Sequence, residues 1–243
     1  MAQLSVAGIM QIIYRSLGNH QRGVATIEAM LLTPLIFWML LAALQLIWLF
    51  WAQHLLHNTS HYVLRAGQLQ HGDLSAMRNV LATGMASTQL QWHAHQQDEP
   101  EAANLRDGAW RATVAALLHA RLASTIQLHS PTVRAQELFS ERRYDLRKQQ
   151  WVTEIAVDHA LARTANMDAT DDWLDARQLD IEIWWCMPLQ VPLVAPALQT
   201  WRQFFESPAQ RFCRLREGFV GRPMWPLISR REGPMLSGFR ADQ

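Results

Sequence analysis

No GxSxG, HExxH, P-loop or CxxC motif occurs in this 243-residue chain, so the sequence offers no familiar nucleophile elbow, zinc-protease helix, phosphate cradle or redox pair. Charge is scarce as well. Only 18% of residues are charged and the net formal charge is +1, which leaves no field to draw in nucleic acid. Residues 1–23 carry Arg15 and Arg22 and no acid; without them 20 basic and 21 acidic residues remain, a formal charge of −1. Cysteine is limited to Cys186 and Cys213. Histidines and aspartates are present but scattered. His93 and His95 lie two apart in a polar loop, and Asp168, Asp171, Asp172 and Asp175 lack the alternating acids and central glycine of a calcium loop, so no metal, no cofactor and no catalytic group are expected. His54, His57 and His61 share one helical face, which reads as a polar stripe.

What the chain does have is one long greasy run. Ala29 to Ala52 contains no charged residue, and a helix needs about 20 such residues to cross the hydrocarbon of a bilayer. Thr33 and Gln45 are the polar side chains inside the run, and Trp48 and Trp51 sit near its far end, where indoles favour the lipid and water boundary. Arg15, His20 and Arg22 precede it, so the N-terminus is expected to stay cytoplasmic and everything after about Gln53 to be exported. A secretory signal has a shorter apolar core of about 7 to 15 residues followed by a small-residue cleavage site, and here the helix pattern instead continues through Leu55, Leu56, Tyr62, Val63 and Leu64. An uncut signal anchor remains the alternative.

Glu28 stands at the mouth of this run, five positions after Gly23. A carboxylate at the edge of a membrane helix costs several kcal/mol, on the order of 2.5 to 3.5 at the bilayer centre, unless it is paired or held at the interface. A cut between Gly23 and Val24 would create an α-amino group that can meet a neighbouring subunit's Glu28 in a helical fibre. Arg22-Gly23 before the cut, Glu28 at the fifth mature position, Pro34 six residues later, the long apolar helix and the exit AQHLLHNTSHYVLRAG together resemble the N-terminus of TadE-like pseudopilins, minor pilins of tight-adherence (Tad, or Flp) pili in the type IV pilin superfamily. The resemblance covers Arg22 to Gln68, with a further likeness in the closing GRPMWPLISRREGPML. Ala29 stands where the family often has Phe, and the soluble part is larger than usual, which leaves the TadE-like, TadF-like and TadG-like groups undivided.

The resemblance implies a prepilin leader over 1–23, a transmembrane and stalk helix over 24–70 and a periplasmic head over 71–243. It implies removal of the leader by a prepilin peptidase, residence in the bacterial inner membrane, and entry into or priming of a pilus. The partners would be a major pilin, other minor pilins and the inner-membrane assembly platform. Pro34 would bend the helix by freeing a backbone carbonyl. Two other functions stand beside this one: an uncleaved signal-anchored scaffold of an envelope or secretion complex, and a membrane-anchored periplasmic enzyme.

The exported part reads as α+β, with helices packed on a small, mainly antiparallel sheet. Asp73 is placed to cap a helix bearing Leu74, Met77, Leu81 and Met85. Residues 92–104 read as a loop, and a helix from Asp107 or Gly108 puts Trp110, Val114, Leu117, Leu118 and Leu122 on one apolar face toward the sheet, with Ile126 continuing the pattern. Trp151, Thr153, Ile155 and Val157 alternate along one strand of that sheet, and Leu179, Ile181, Ile183 and Trp185 along another. Pro188, Pro192 and Pro196 mark an extended connector. Cys186 and Cys213 both fall on the exported side; bridged, they would stabilise the fold by roughly 3 kcal/mol, whereas Cys186 beside Trp184 and Trp185 also suits a small buried thiol.

Overall fold

Apolar periodicity and good capping residues set out an α+β chain on one long N-terminal helix. The computed structural model describes residues 6–89, 101–165, 170–191, 193–202 and 207–240. Helix α1 runs from Val6 to Leu69, followed by α2 (Leu74–Gly84), a 3-10 turn (Ala86–Gln89) and α3 (Glu101–Leu122). Next come β1 (Ser124–Ser130), α4 (Val133–Phe139), β2 (Ser140–Asp145), β3 (Gln150–Ile155), α5 (Ala160–Thr164) and α6 (Thr170–Ala176). The chain closes with β4 (Gln178–Pro188), α7 (Ala195–Arg202), α8 (Pro208–Val220) and β5 (Met224–Pro234). Asp73 caps α2 as its position requires: its Oδ1 accepts from the Ser75 amide at 2.7 Å, and Met77, Leu81 and Met85 are fully buried.

Strand β4 lies between β1 and β5, antiparallel to both, with Ile183 opposite Ile126 on one side and Ser229 on the other. Leu179, Ile181, Ile183 and Trp185 all point inward and are fully buried. They meet Leu49, Ala52, Leu56 and Val63 of α1 and Met77 and Leu81 of α2 in one core. Each such leucine or isoleucine taken out of water contributes about 2 kcal/mol. The second half of α1 is therefore the central rod of the head, around which α2 and the sheet are packed.

Helix α2 approaches α1 closely because Gly84 has no side chain. A Cβ built there would lie 2.3 Å from Cγ2 and 2.6 Å from Oγ1 of Thr59, which is itself 3% exposed and too short to move away. Gly84→Ala is expected to lower stability by about 1 to 3 kcal/mol through overpacking. Gly108, in α3, has open space around its Cβ position, so Gly108→Ala should be neutral or gain about 0.5 to 1 kcal/mol. Chemical unfolding of the two variants side by side checks the pair.

Two sequence expectations are revised. Helix α3 begins at Glu101, earlier than Asp107, and its buried face is the small-residue row Ala112, Ala116 and Ala120, while Trp110, Leu118 and Leu122 are exposed. Alanines win because they let α3 lie close against α2 and the 3-10 turn. The 150–155 strand is not part of the main sheet: it pairs with β2 in a separate two-stranded ribbon. Its alternation breaks down too: Ile155 is buried as expected, but Trp151 is 63% exposed and Glu154 only 7% exposed, because the buried Arg240 meets that carboxylate. His93, His95 and Asp168 lie outside the described residues, as does Pro192.

Candidate functional site

The processing residues sit on α1, which continues unbroken through Gly23 and Val24. Glu28 is exposed at the head of the apolar run and has no ion-pair partner among the described residues. Pro34 lies inside the helix, and the neighbouring Thr33 turns its hydroxyl inward, donating to the Ala29 carbonyl at 2.6 Å. From Met30 to Leu40 the helix is sheathed in exposed apolar side chains, Leu31, Leu35, Ile36 and Phe37 among them. So large a bare apolar surface needs lipid or other protein to cover it. Among the described residues, one helix is long and apolar enough to cross a membrane, starting at Glu28.

Higher up, α1 turns from bare to clasped, and Gln45 marks the change. It is 1% exposed, and its Oε1 accepts from the amides of Gln190 (3.1 Å) and Val191 (3.0 Å) in the connector after β4. Trp38 Nε1 donates to the Leu193 carbonyl at 3.4 Å. Leu49, Ala52 and Leu56 face the head, while Phe50 and Trp51 face away. Sequence reasoning noted Gln45 only as a polar residue within an apolar run. A lone amide there, which must find partners in a dry setting, was the available signal for a docking contact.

Beyond the core, β5 runs beside α1 in the same direction. Gln53 Nε2 donates to the Ile228 carbonyl (2.8 Å), Ser229 donates to Ser60 (3.0 Å), Arg231 Nε donates to Ser60 (3.0 Å), and the Ser237 amide donates to the Gln68 carbonyl (2.9 Å). His54, His57 and His61 are all exposed; the rings of His57 and His61 meet edge to face, and the Arg231 guanidinium contacts His57. Among the described residues no three His, Cys, Asp or Glu side chains converge as a metal set would. At the end of the chain, Phe239 exchanges backbone hydrogen bonds with Ile155 and its ring fills the space above Gly72, whose φ of +82° suits glycine. Arg240, 8% exposed, then bonds Glu154 (2.8 Å) and Asp145 (2.7 Å).

These pairings shift the acids. The Arg240 guanidinium, with the Lys148 and Arg147 amides, holds the Asp145 carboxyl down to about 2. Burial pushes Asp158 up, but Arg143 and Arg163 outweigh it and leave its carboxyl below the usual range. His119, in α3, is lowered by burial; its Nε2 donates to the Cys186 carbonyl at 2.8 Å and its ring lies against Trp185. Cys186 and Cys213 are joined as a disulfide with 5.4 Å between Cα atoms, tying β4 to α8 in a small cluster with Ala123 and Met224. The polar groups of the head thus fasten segments to one another.

One long apolar helix with an α+β head built around its C-terminal half is compatible with a single-pass membrane anchor. Residues 23–65 match the family described as TadE-like protein, and the chain is accordingly consistent with a TadE-like protein associated with tight-adherence pili. The match starts at Gly23 and ends before α2. No curated protein and no solved structure matches the chain.

Proposed function

We propose that the chain is a minor pilin or pseudopilin of a tight-adherence pilus, matured by a prepilin peptidase between Gly23 and Val24, and that its work is assembly rather than catalysis. Residues 1–23 are then a leader, 24–70 the membrane and stalk helix, and 71–243 the exported head. The observation that carries this reading is the placement of Glu28: a bare carboxylate at the mouth of an apolar helix, five residues past the glycine at which the TadE-like match begins. A new ammonium group on Val24 neutralises such a carboxylate across a subunit boundary. Pro34, which removes one backbone bond from α1, bends the helix among its neighbours.

The partners are the prepilin peptidase, a major pilin, other minor pilins and the inner-membrane platform, with the N-terminus in the cytoplasm and the head in the periplasm or on a pilus. A buried disulfide suits that oxidising side. The second reading, an uncleaved scaffold, draws on α1 running unbroken from Val6 across the cut position. Mass measurement separates the two. Native protein from cells with active prepilin peptidase is expected to start at Val24, and replacing Gly23 with a bulky residue is expected to leave the leader attached. A native chain that retains residues 1–23 sinks the pilin reading and leaves the scaffold.

A further inference from the structure

Pro188 closes β4 and Pro196 sits in the first turn of α7, so the expected extended connector is shortened to a turn, and that turn belongs to a segment with an unusual position. From Ile183 to Trp201 the chain has no charged residue. Its Gln190 and Val191 amides and its Leu193 carbonyl are seated on α1 at Gln45 and Trp38. Leu193 projects outward, 62% exposed, beside Trp38, where α1 itself is bare and apolar, and Trp201, near the end of α7, is 63% exposed.

Length decides what surrounds this foot. Glu28 and Trp38 are ten residues apart, about 15 Å of helix, and even from Val24 the distance to Trp38 is about 21 Å. The hydrocarbon core of a bilayer is about 30 Å thick. If α1 spans a bilayer from its cytoplasmic mouth, the level of Trp38 and Leu193 falls inside the outer half of that layer, below the headgroups.

Irregular backbone survives there only if its polar groups are satisfied within the protein. Most of this segment's amides meet that demand, while the Leu193 amide and Gln45 Nε2 have no partner among the described residues. The Gln190 and Val191 amides are taken by Gln45, the Leu189 amide by the Pro223 carbonyl (2.9 Å), and the Val194 and Ala195 amides by the Val191 carbonyl (3.2 and 3.0 Å). Pro188, Pro192 and Pro196 have no N–H to satisfy. The Leu193 carbonyl receives the Trp38 indole.

We infer that residues 189–201 form a lipid-inserted foot of the head, sunk into the outer leaflet beside α1, with Leu193 and Trp201 in contact with acyl chains. This rests on the reading of α1 as a bilayer-spanning anchor. The foot makes the head a partly embedded body whose height and tilt over the membrane are set, with Gln45 as the dry hinge pin between foot and helix.

The test uses the full chain in phosphatidylcholine vesicles, with single cysteines introduced by Leu193→Cys, Trp201→Cys, Leu35→Cys and Leu161→Cys and labelled with a polarity-sensitive fluorophore; Cys186 and Cys213 stay bridged and unlabelled. Leu35 is on the bare part of α1, and Leu161 is 88% exposed on the head. Positions 193, 201 and 35 are expected to be quenched several-fold more by nitroxide-bearing lipids than by aqueous iodide, and position 161 the reverse. If 193 and 201 behave like 161 while 35 stays lipid-quenched, the foot is overturned and the anchor stands. If 35 is also quenched by iodide, the anchor reading fails and the foot with it. Shielding of 193 and 201 from both quenchers means that protein covers them, which also overturns the lipid assignment.

Discussion

Glu28→Leu is expected to give a chain that folds, anchors and is cut after Gly23, yet is missing from isolated pili. Removing a carboxylate from the edge of an apolar helix makes insertion easier, by up to about 3 kcal/mol at the bilayer centre, so membrane residence is not at risk. Nor is the head. Among the described residues, the first of α1 to bond it is Trp38, ten residues further on, about 15 Å along the helix. What disappears is the group that the Val24 ammonium of a neighbouring subunit would meet. Glu28→Gln keeps the shape and removes the charge, so it should fail in the same way. Immunodetection in sheared pili against the membrane fraction measures both variants, and normal incorporation of either one would remove charge pairing from the proposed mechanism.

Arg240→Ala should cost the head about 3 kcal/mol, since it leaves Glu154 and Asp145 as carboxylates stripped of the guanidinium that both contact. Arg143 reaches Glu154 at 3.6 Å and offsets part of the loss, which keeps the figure at the low end of the range for a broken buried pair. The effect has a definite pH signature. Asp145 is held at about 2 in the folded chain against an ordinary value of about 3.9, so its contribution is present above pH ~4 and is lost as pH falls from there toward 2. The stability gap between wild type and Arg240→Ala should therefore be full at neutral pH and narrow across that acid window. Chemical unfolding of the detergent-solubilised chain at several pH values checks it; a gap independent of pH would mean that Arg240 acts by packing rather than through its carboxylate partners.

Features governed by local rules were legible in the residues. The apolar length of α1, the Asp73 cap and the fully buried row on β4 follow from period, capping and propensity and reappear in the structure, while the closing stretch, marked by its family likeness, forms β5. Features governed by long-range pairing were not. Alternation in 150–155 placed Trp151 and Ile155 inward; Ile155 is buried, but Trp151 is exposed and Glu154 is buried because Arg240, 86 positions later, returns to meet it. The apolar row on α3 looked like a core face, but the tighter fit of alanines against α2 turned Trp110 and Leu118 outward. The candidate site divides in the same way: Gly23 and Glu28 stand out in a linear reading, whereas the role of Gln45 needs the chain to fold back 145 positions.

The parallel course of α1 and β5 bears on how the molecule carries force. In a filament pulled along its axis, tension enters the head through α1 and spreads to β5 by side-by-side bonds at Gln53 and Ser60 and to the segment just after β5 at Gln68. Those links are loaded in shear and must yield together, unlike a hairpin that peels open one rung at a time. A head gripped in this manner resists being stripped from its rod, and its mechanical strength grows with the number of rungs rather than with the strength of the weakest one.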